Sequence, residues 1–110
     1  GKTVFDADIA TSASAIVTNA ASSGKILKIN SLIIANIDGS SAADITATIK
    51  NAAGNSTSST IANTVSVPAD ATLVLISKDT SIYLEEDMSI HLAASAAGDL
   101  SGTCSYEEIS

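Results

Sequence analysis

One histidine, one cysteine and a short run of acids are the residues of this 110-residue chain with reactive potential. His91 sits in Met88-Ser89-Ile90-His91-Leu92, where alternation turns Ile90 and Leu92 toward a core and His91 outward beside Ser89 and Ala93. A hydrolytic serine needs an adjacent base that a third group holds, and the sequence has no Gly-x-Ser-x-Gly elbow or comparable turn. A solvated or interfacial His91 is therefore expected. Cys104 lies in Thr103-Cys104-Ser105-Tyr106 and shares parity with Leu100 and Tyr106, the placement of a small core thiol. Activating it would take nearby cations, and this acidic stretch offers none. One Cys and one His cannot fill a tetrahedral zinc site. Glu85-Glu86-Asp87, with Asp70, Asp79 and Asp99 in other turns, would hold calcium only if about six to eight oxygens converged. The alternating Asp/Asn spacing of a calcium loop is missing, so a solvated turn tip is the expectation. The six glycines are scattered and form no phosphate loop. No catalytic, metal or cofactor residue is expected, and the chain reads as non-enzymatic.

The elements that would position these residues are strands. Ser, Thr, Val and Ile dominate, and the apolar residues alternate or run together instead of recurring at helical spacing. Val4, Phe5 and Ile9 mark an N-terminal arm or edge strand within residues 1–12, and Ala15-Ile16-Val17-Thr18 a short strand before the turn Asn19 to Gly24. From Lys25 on, Leu27, Ile29, Ile33, Ala35 and Ile37 share one parity, while Ile26, Leu32 and Ile34 fall on the other. Either a bulge near Asn30-Ser31 switches the register, or another element or subunit covers the second face. Asp44 to Lys50 is the cleanest strand, with Ile45, Ala47 and Ile49 inward, and Asn51-Ala52-Ala53-Gly54-Asn55 reads as the turn after it. Ile61, Val65 and Val67 mark a strand that ends at Pro68, which lacks a ladder donor. The run Thr72 to Ile76 has the character of a strand buried on both faces. Ile82-Tyr83-Leu84 and Met88 to Leu92 flank Glu85-Glu86-Asp87 as a hairpin would. A last strand runs from Leu100 to Tyr106.

About eight short strands at such spacing predict one all-β domain over residues 1–110, an antiparallel β-sandwich with jelly-roll or related Greek-key topology. With one Phe, two Tyr and no Trp, its core must be built from Ala, Ile, Leu and Val. The scarcity of rings also weighs against sugar binding and against stacking on single-stranded nucleic acid. Five Lys and no Arg against twelve acids give a net charge of -7, which repels phosphate backbones and anionic lipid alike. Neither a nucleic-acid nor a membrane partner is expected. The apolar run from Ser31 to Ile37 is far shorter than the roughly 20 residues a membrane span needs, and no secretory leader pattern opens the sequence. A lone cysteine fits folding in a reducing cytosol. Gly1-Lys2-Thr3 would suit a start left after loss of an initiator Met, or equally a tag remnant.

Val67-Pro68-Ala69-Asp70-Ala71-Thr72-Leu73-Val74-Leu75 and Ile82-Tyr83-Leu84-Glu85-Glu86-Asp87-Met88-Ser89-Ile90 resemble segments of small virion-associated proteins of tailed phages, marine ones in particular. Ser105-Tyr106-Glu107-Glu108-Ile109 and the corner Asn36-Ile37-Asp38-Gly39-Ser40 are similar too. In such proteins a Gly often occupies the turn position held here by Glu86-Asp87, which leaves the turn type open. The resemblance implies a β-sandwich displayed in many copies on a virion assembled in the host cytoplasm, on the head exterior or on the tail.

Two functions follow as expectations. The first is a head decoration, or cement, protein, a homo-oligomer with a trimer favoured, that bridges subunits of the major capsid protein. The second is a tail or fibre-associated module that recognises a host surface ligand through Phe5, Tyr83 and Tyr106. Contacts are expected from Val4, Phe5 and Ile9, from the doubled apolar face of Leu32, Ile33 and Ile34, of which Leu32 and Ile34 are the named contacts, and from Tyr83. The segment from Lys2 to Ile9 is expected to serve as an arm that adds to a neighbour's sheet edge.

Overall fold

A computed structural model describes residues 1–51 and 56–110, with backbone alone at 56–58. Nine strands appear among the described residues, and no α-helix. They are β1 (Lys2–Asp6), β2 (Ser14–Thr18), β3 (Ile26–Asn36), β4 (Ala43–Asn51), β5 (Ser56–Val67), β6 (Thr72–Ile76), β7 (Ile82–Leu84), β8 (Met88–Ala94) and β9 (Leu100–Ile109). A single 3-10 turn, Lys78–Thr80, separates β6 from β7. The turn expected at residues 51–55 lies largely outside the described residues.

The strands form two antiparallel sheets. One has the order β1-β9-β3-β6, with β7 beside β6 on the same edge of β3, and the other has the order β2-β8-β4-β5. The pairs β1·β9, β2·β8, β3·β6 and β4·β5 nest like one long hairpin whose successive rungs fall in alternate sheets. That is the jelly roll, closed where β9 pairs β3 and β8 pairs β4. The inner faces meet in an aliphatic core: Ile29, Leu32 and Ile34 from the five-stranded sheet against Ile45, Ile90 and Leu92 from the four-stranded one, all 0% exposed. Gly102 lies where this core is tightest, since a Cβ there would stand 3.0 Å from a Leu92 methyl.

The double apolar parity of β3 resolves into a bulge. The register shifts between Ile29 and Ser31, so Leu27 and Ile29 point inward before it and Leu32 and Ile34 after it. Ile33 and Ala35 are thereby turned to the outer surface. Asn30 is the inserted residue, and its Oδ1 is buried without a hydrogen-bond partner.

Three other expectations are corrected. First, Thr72 to Ile76 is not buried on both faces: Leu73 and Ile76 face the core, while Val74, opposite Ile33 on the outer face, is exposed. Second, Ile82–Leu84 and Met88–Ala94 are not a hairpin, because β7 pairs β3 in one sheet and β8 pairs β2 and β4 in the other. Third, Lys2 to Ile9 is not a free arm. β1 pairs with β9 of its own chain, and Ile9 is anchored by its N–H on the Leu100 carbonyl and by full burial.

What replaces the hairpin is a sheet crossing, and it occurs twice with the same parts. Leu84-Glu85-Glu86-Asp87-Met88 passes from the five-stranded to the four-stranded sheet, and Val67-Pro68-Ala69-Asp70-Ala71 passes the other way. Each contains a turn closed by a backbone bond, Met88 N–H to Glu85 O at 3.1 Å and Ala71 N–H to Pro68 O at 3.0 Å. Each places an Asp in the left-handed region, Asp87 at φ 69° and Asp70 at φ 59°, where a short polar side chain is tolerated. A buried Asn clamps each crossing. The Asn19 side-chain amide donates to Leu84 O and Lys25 O while its backbone N–H donates to Met88 O. The Asn36 amide likewise donates to Val67 O and Ser41 O, and its backbone N–H to Ala71 O.

Candidate functional site

The groups with reactive potential do not gather. His91 points outward from β8 between Ala15 and Thr48, and its Nδ1 lies 3.2 Å from Ser89 Oγ. Partial burial, and then the charge of Lys50, hold the imidazole below its usual pKa. Ser89 is its hydrogen-bond partner, and no carboxylate bonds to the ring among the described residues. Cys104 faces the core opposite Val4 and Leu32, fully buried, and burial pushes its thiol up to about 11. A thiol so placed carries almost no thiolate at neutral pH.

Glu86 stands at one corner, and Asp8, Asp38 and Asp99 share another. Glu86 accepts the Gly24 N–H at 2.6 Å, and Asp8 accepts the Gly98 N–H at 2.8 Å. Asp38 is held low by the Ser40 backbone and hydroxyl bonds, while Asp99 is raised by desolvation and by the Asp38 and Asp8 carboxyls nearby. Among the described residues no group of three or more His, Cys, Asp or Glu side chains is arranged to hold a metal ion. An open groove of about 720 Å³ runs past Gly24, Lys25, Glu85 and Glu86, its apolar wall made by Ile26 and Ile109.

The feature that does stand out is an asymmetry between the two outer faces. Seven large hydrophobic side chains are exposed among the described residues, and six of them, Phe5, Ile26, Ile37, Val74, Tyr83 and Ile109, lie on the outer face or rim of the five-stranded sheet. Register sets them in rows. Phe5, Thr103, Ile33 and Val74 stand side by side across β1, β9, β3 and β6. Glu107, Lys28 and Tyr83 form a second row across β9, β3 and β7, with Ile109 beside Ile26 beyond it. Phe5 is 75% exposed and borders a depression of about 310 Å³ that Ile37 closes on the far side and Ser101 and Thr103 floor. The outer face of the four-stranded sheet is instead built from Ala15, Thr46, Thr48, Lys50, His91 and Ala93.

Of the contact residues expected from sequence, Phe5 and Tyr83 are on the apolar face. Val4 packs against the core, and Ile9, Leu32 and Ile34 are 0% exposed within it, so these three offer no surface to a partner. The reason is the β3 bulge, which inverts the parity of Leu32 and Ile34 and puts Ile33 outside in their place. Ile33, the third member of the doubled apolar face, is the one that lies outside. Sequence reasoning missed Val74, Ile37, Ile26 and Ile109; the signal for Val74 was the apolar run of Thr72 to Ile76, whose second apolar side was assigned to burial. Tyr106 packs on the core, and Phe5 and Tyr83 stand about 20 Å apart by strand spacing and rise, so the three rings share no cleft.

No family model matches this chain, and neither a curated protein nor a solved structure does.

Proposed function

We propose that this domain is a non-enzymatic structural protein of a phage particle, a head decoration protein that packs against the major capsid protein lattice as a homo-oligomer. One observation carries the protein-binding part of this reading: six of the seven exposed large hydrophobic side chains among the described residues collect on the outer face or rim of one sheet. Exposed apolar side chains gathered on one face and rimmed by polar residues mark a contact surface more often than accident does. The phage setting is supported by the resemblance of the two sheet-crossing segments, Val67 to Leu75 and Ile82 to Ile90, to those of virion-associated proteins. The mechanism needs no chemistry. A protein that binds only the mature lattice stabilises that state by its own binding free energy, repeated at every site.

The test is a stained gel of purified virions carrying this protein. A copy number comparable with that of the major capsid protein supports head decoration. A handful of copies, or none, overturns it.

A further inference from the structure

We propose that the outer face of the five-stranded sheet is a two-fold self-association surface, covered by a second copy of this chain with the dyad running along the strands between β9 and β3. The inference rests on the reading of this face as a protein-binding surface and goes beyond it by naming the occupant.

Rotation about such an axis lays β9 of one copy over β3 of the other, and β1 over β6 and β7. The rows of this face are self-complementary under that operation. Phe5 meets the second copy's Val74 and Thr103 its Ile33, because all four share one row. Glu107 meets the second copy's Lys28, because the two are direct neighbours in register. Ile109 meets Ile26 in the same way. The depression beside Phe5, with its Ile37 wall, is placed to receive the second copy's Val74. Aligned sheets pack with their strands about 30° apart, an offset that the long Lys28 and Glu107 side chains can span.

Charge favours a second copy over a different partner. The chain carries -7, yet the outward-pointing charges in the rows of this face are Lys28 and Glu107, which cancel, with Asp6 lining the depression. Two acidic bodies meet here through rows that carry no net charge, whereas a basic partner would be drawn to the acidic remainder of the surface. Size is sufficient as well. The strands of this face, 5 residues of β1, 10 of β9, 11 of β3, 5 of β6 and 3 of β7, give a footprint of roughly 550 Å², and side-chain relief brings this toward the about 800 Å² per partner of a standard interface. A closed trimer would join two different patches, but the exposed apolar side chains are concentrated on one, as an isologous contact requires.

The experiment is sedimentation or light scattering of the purified full chain into the high micromolar range. A dimer is expected, and a monomer or a trimer overturns the proposal. Phe5→Ser should weaken the dimer by about 100-fold without unfolding the chain, since Phe5 is an exposed anchor. An unchanged dimer would place the contact elsewhere. Lys28→Glu and Glu107→Lys should each give monomers, and mixing the two variants should restore a dimer that contains one of each. Failure of the mixture to associate more tightly than either variant alone overturns the dyad. This outcome is independent of the virion gel: a dimer absent from particles removes the decoration reading alone, and a monomer abundant on particles removes the dimer alone.

Discussion

The two outer faces of this jelly roll have opposite character. On the four-stranded sheet, β4 and β8 alternate strictly, so Ile45, Ala47, Ile90 and Leu92 go inward and Thr46, Thr48, His91 and Ala93 go outward. On the five-stranded sheet, β3 and β6 carry apolar residues at both parities, and with only one core to fill, the second set is left outside. Strict alternation leaves a polar outer face, and its local failure leaves apolar side chains outside. The five-stranded sheet is also the richer in large aliphatic residues, and the strands that break the period-two rule put that surplus outside.

The largest effect is expected where both faces lose their common frame. Asn36→Ala would leave the Val67 and Ser41 carbonyls and the Asp38 N–H without their partner, at a cost of about 3 kcal/mol in stability. Asn19→Ala should cost a similar amount, through Leu84 O and Lys25 O. The clamps sit near opposite ends of β3, about 30 Å apart, so the double variant should be additive within about 0.5 kcal/mol. Urea unfolding midpoints read this directly, and strong non-additivity would mean that the two crossings fold as one unit.

Next in size is the contrast between the faces themselves. Val74→Asp and Thr48→Asp both introduce a carboxylate on an outward position of a strand, so each should change folding stability by less than about 1 kcal/mol. Only Val74→Asp should abolish association, and sedimentation of the two variants side by side sharpens the comparison to a single position on each sheet. Equal losses for both would mean that the polar face is also a contact.

A smaller effect belongs to the edge of the four-stranded sheet. Thr64 holds φ 48°, a left-handed conformation that a β-branched residue adopts only at a cost, where the β4·β5 register slips. Its N–H donates to Thr46 Oγ1, a bond that the backbone would keep after substitution. Thr64→Asn should therefore raise stability by about 0.5 to 1 kcal/mol, read from the same urea curves.

Sequence reading reached the sandwich, the jelly roll and the core placement of Cys104, because these rest on alternation and on turn residues that act locally. It offered the bulge in β3 as one of two accounts, since parity alone cannot tell an inserted residue from a second covered face. It misplaced Leu32 and Ile34 because the choice between those accounts depends on β9, whose residues pair with β3 from 64 to 83 positions away. The same limit explains the crossing at Glu85 to Asp87. A turn between two alternating segments looks alike whether the second strand folds back on the first or enters the opposite sheet. What decides is Asn19, which is distant in sequence and holds Leu84 and Met88 at the corner.

The smallest effect, and the one that separates the faces by pH, concerns His91. Partial burial and the neighbouring Lys50 lower its pKa in the folded state, so the unfolded chain takes up the proton first as pH falls. Stability should therefore decline as pH drops below about 6.5 and level off once it passes the lowered folded value. Glu108, held low chiefly by its hydrogen bond and charge contact with Lys2, acts in a different window. Its contribution is present above the ordinary carboxylate range and is lost as pH falls through the depressed value. His91→Gln should flatten the upper window and leave the lower one, and Glu108→Gln should do the reverse. Because His91 lies on the four-stranded sheet and the proposed dimer contact does not, the dimer constant of His91→Gln should follow that of the unaltered chain across the upper window. A His91-dependent change in association there would mean that the polar face takes part in assembly, and the contrast between the two sheets would no longer hold.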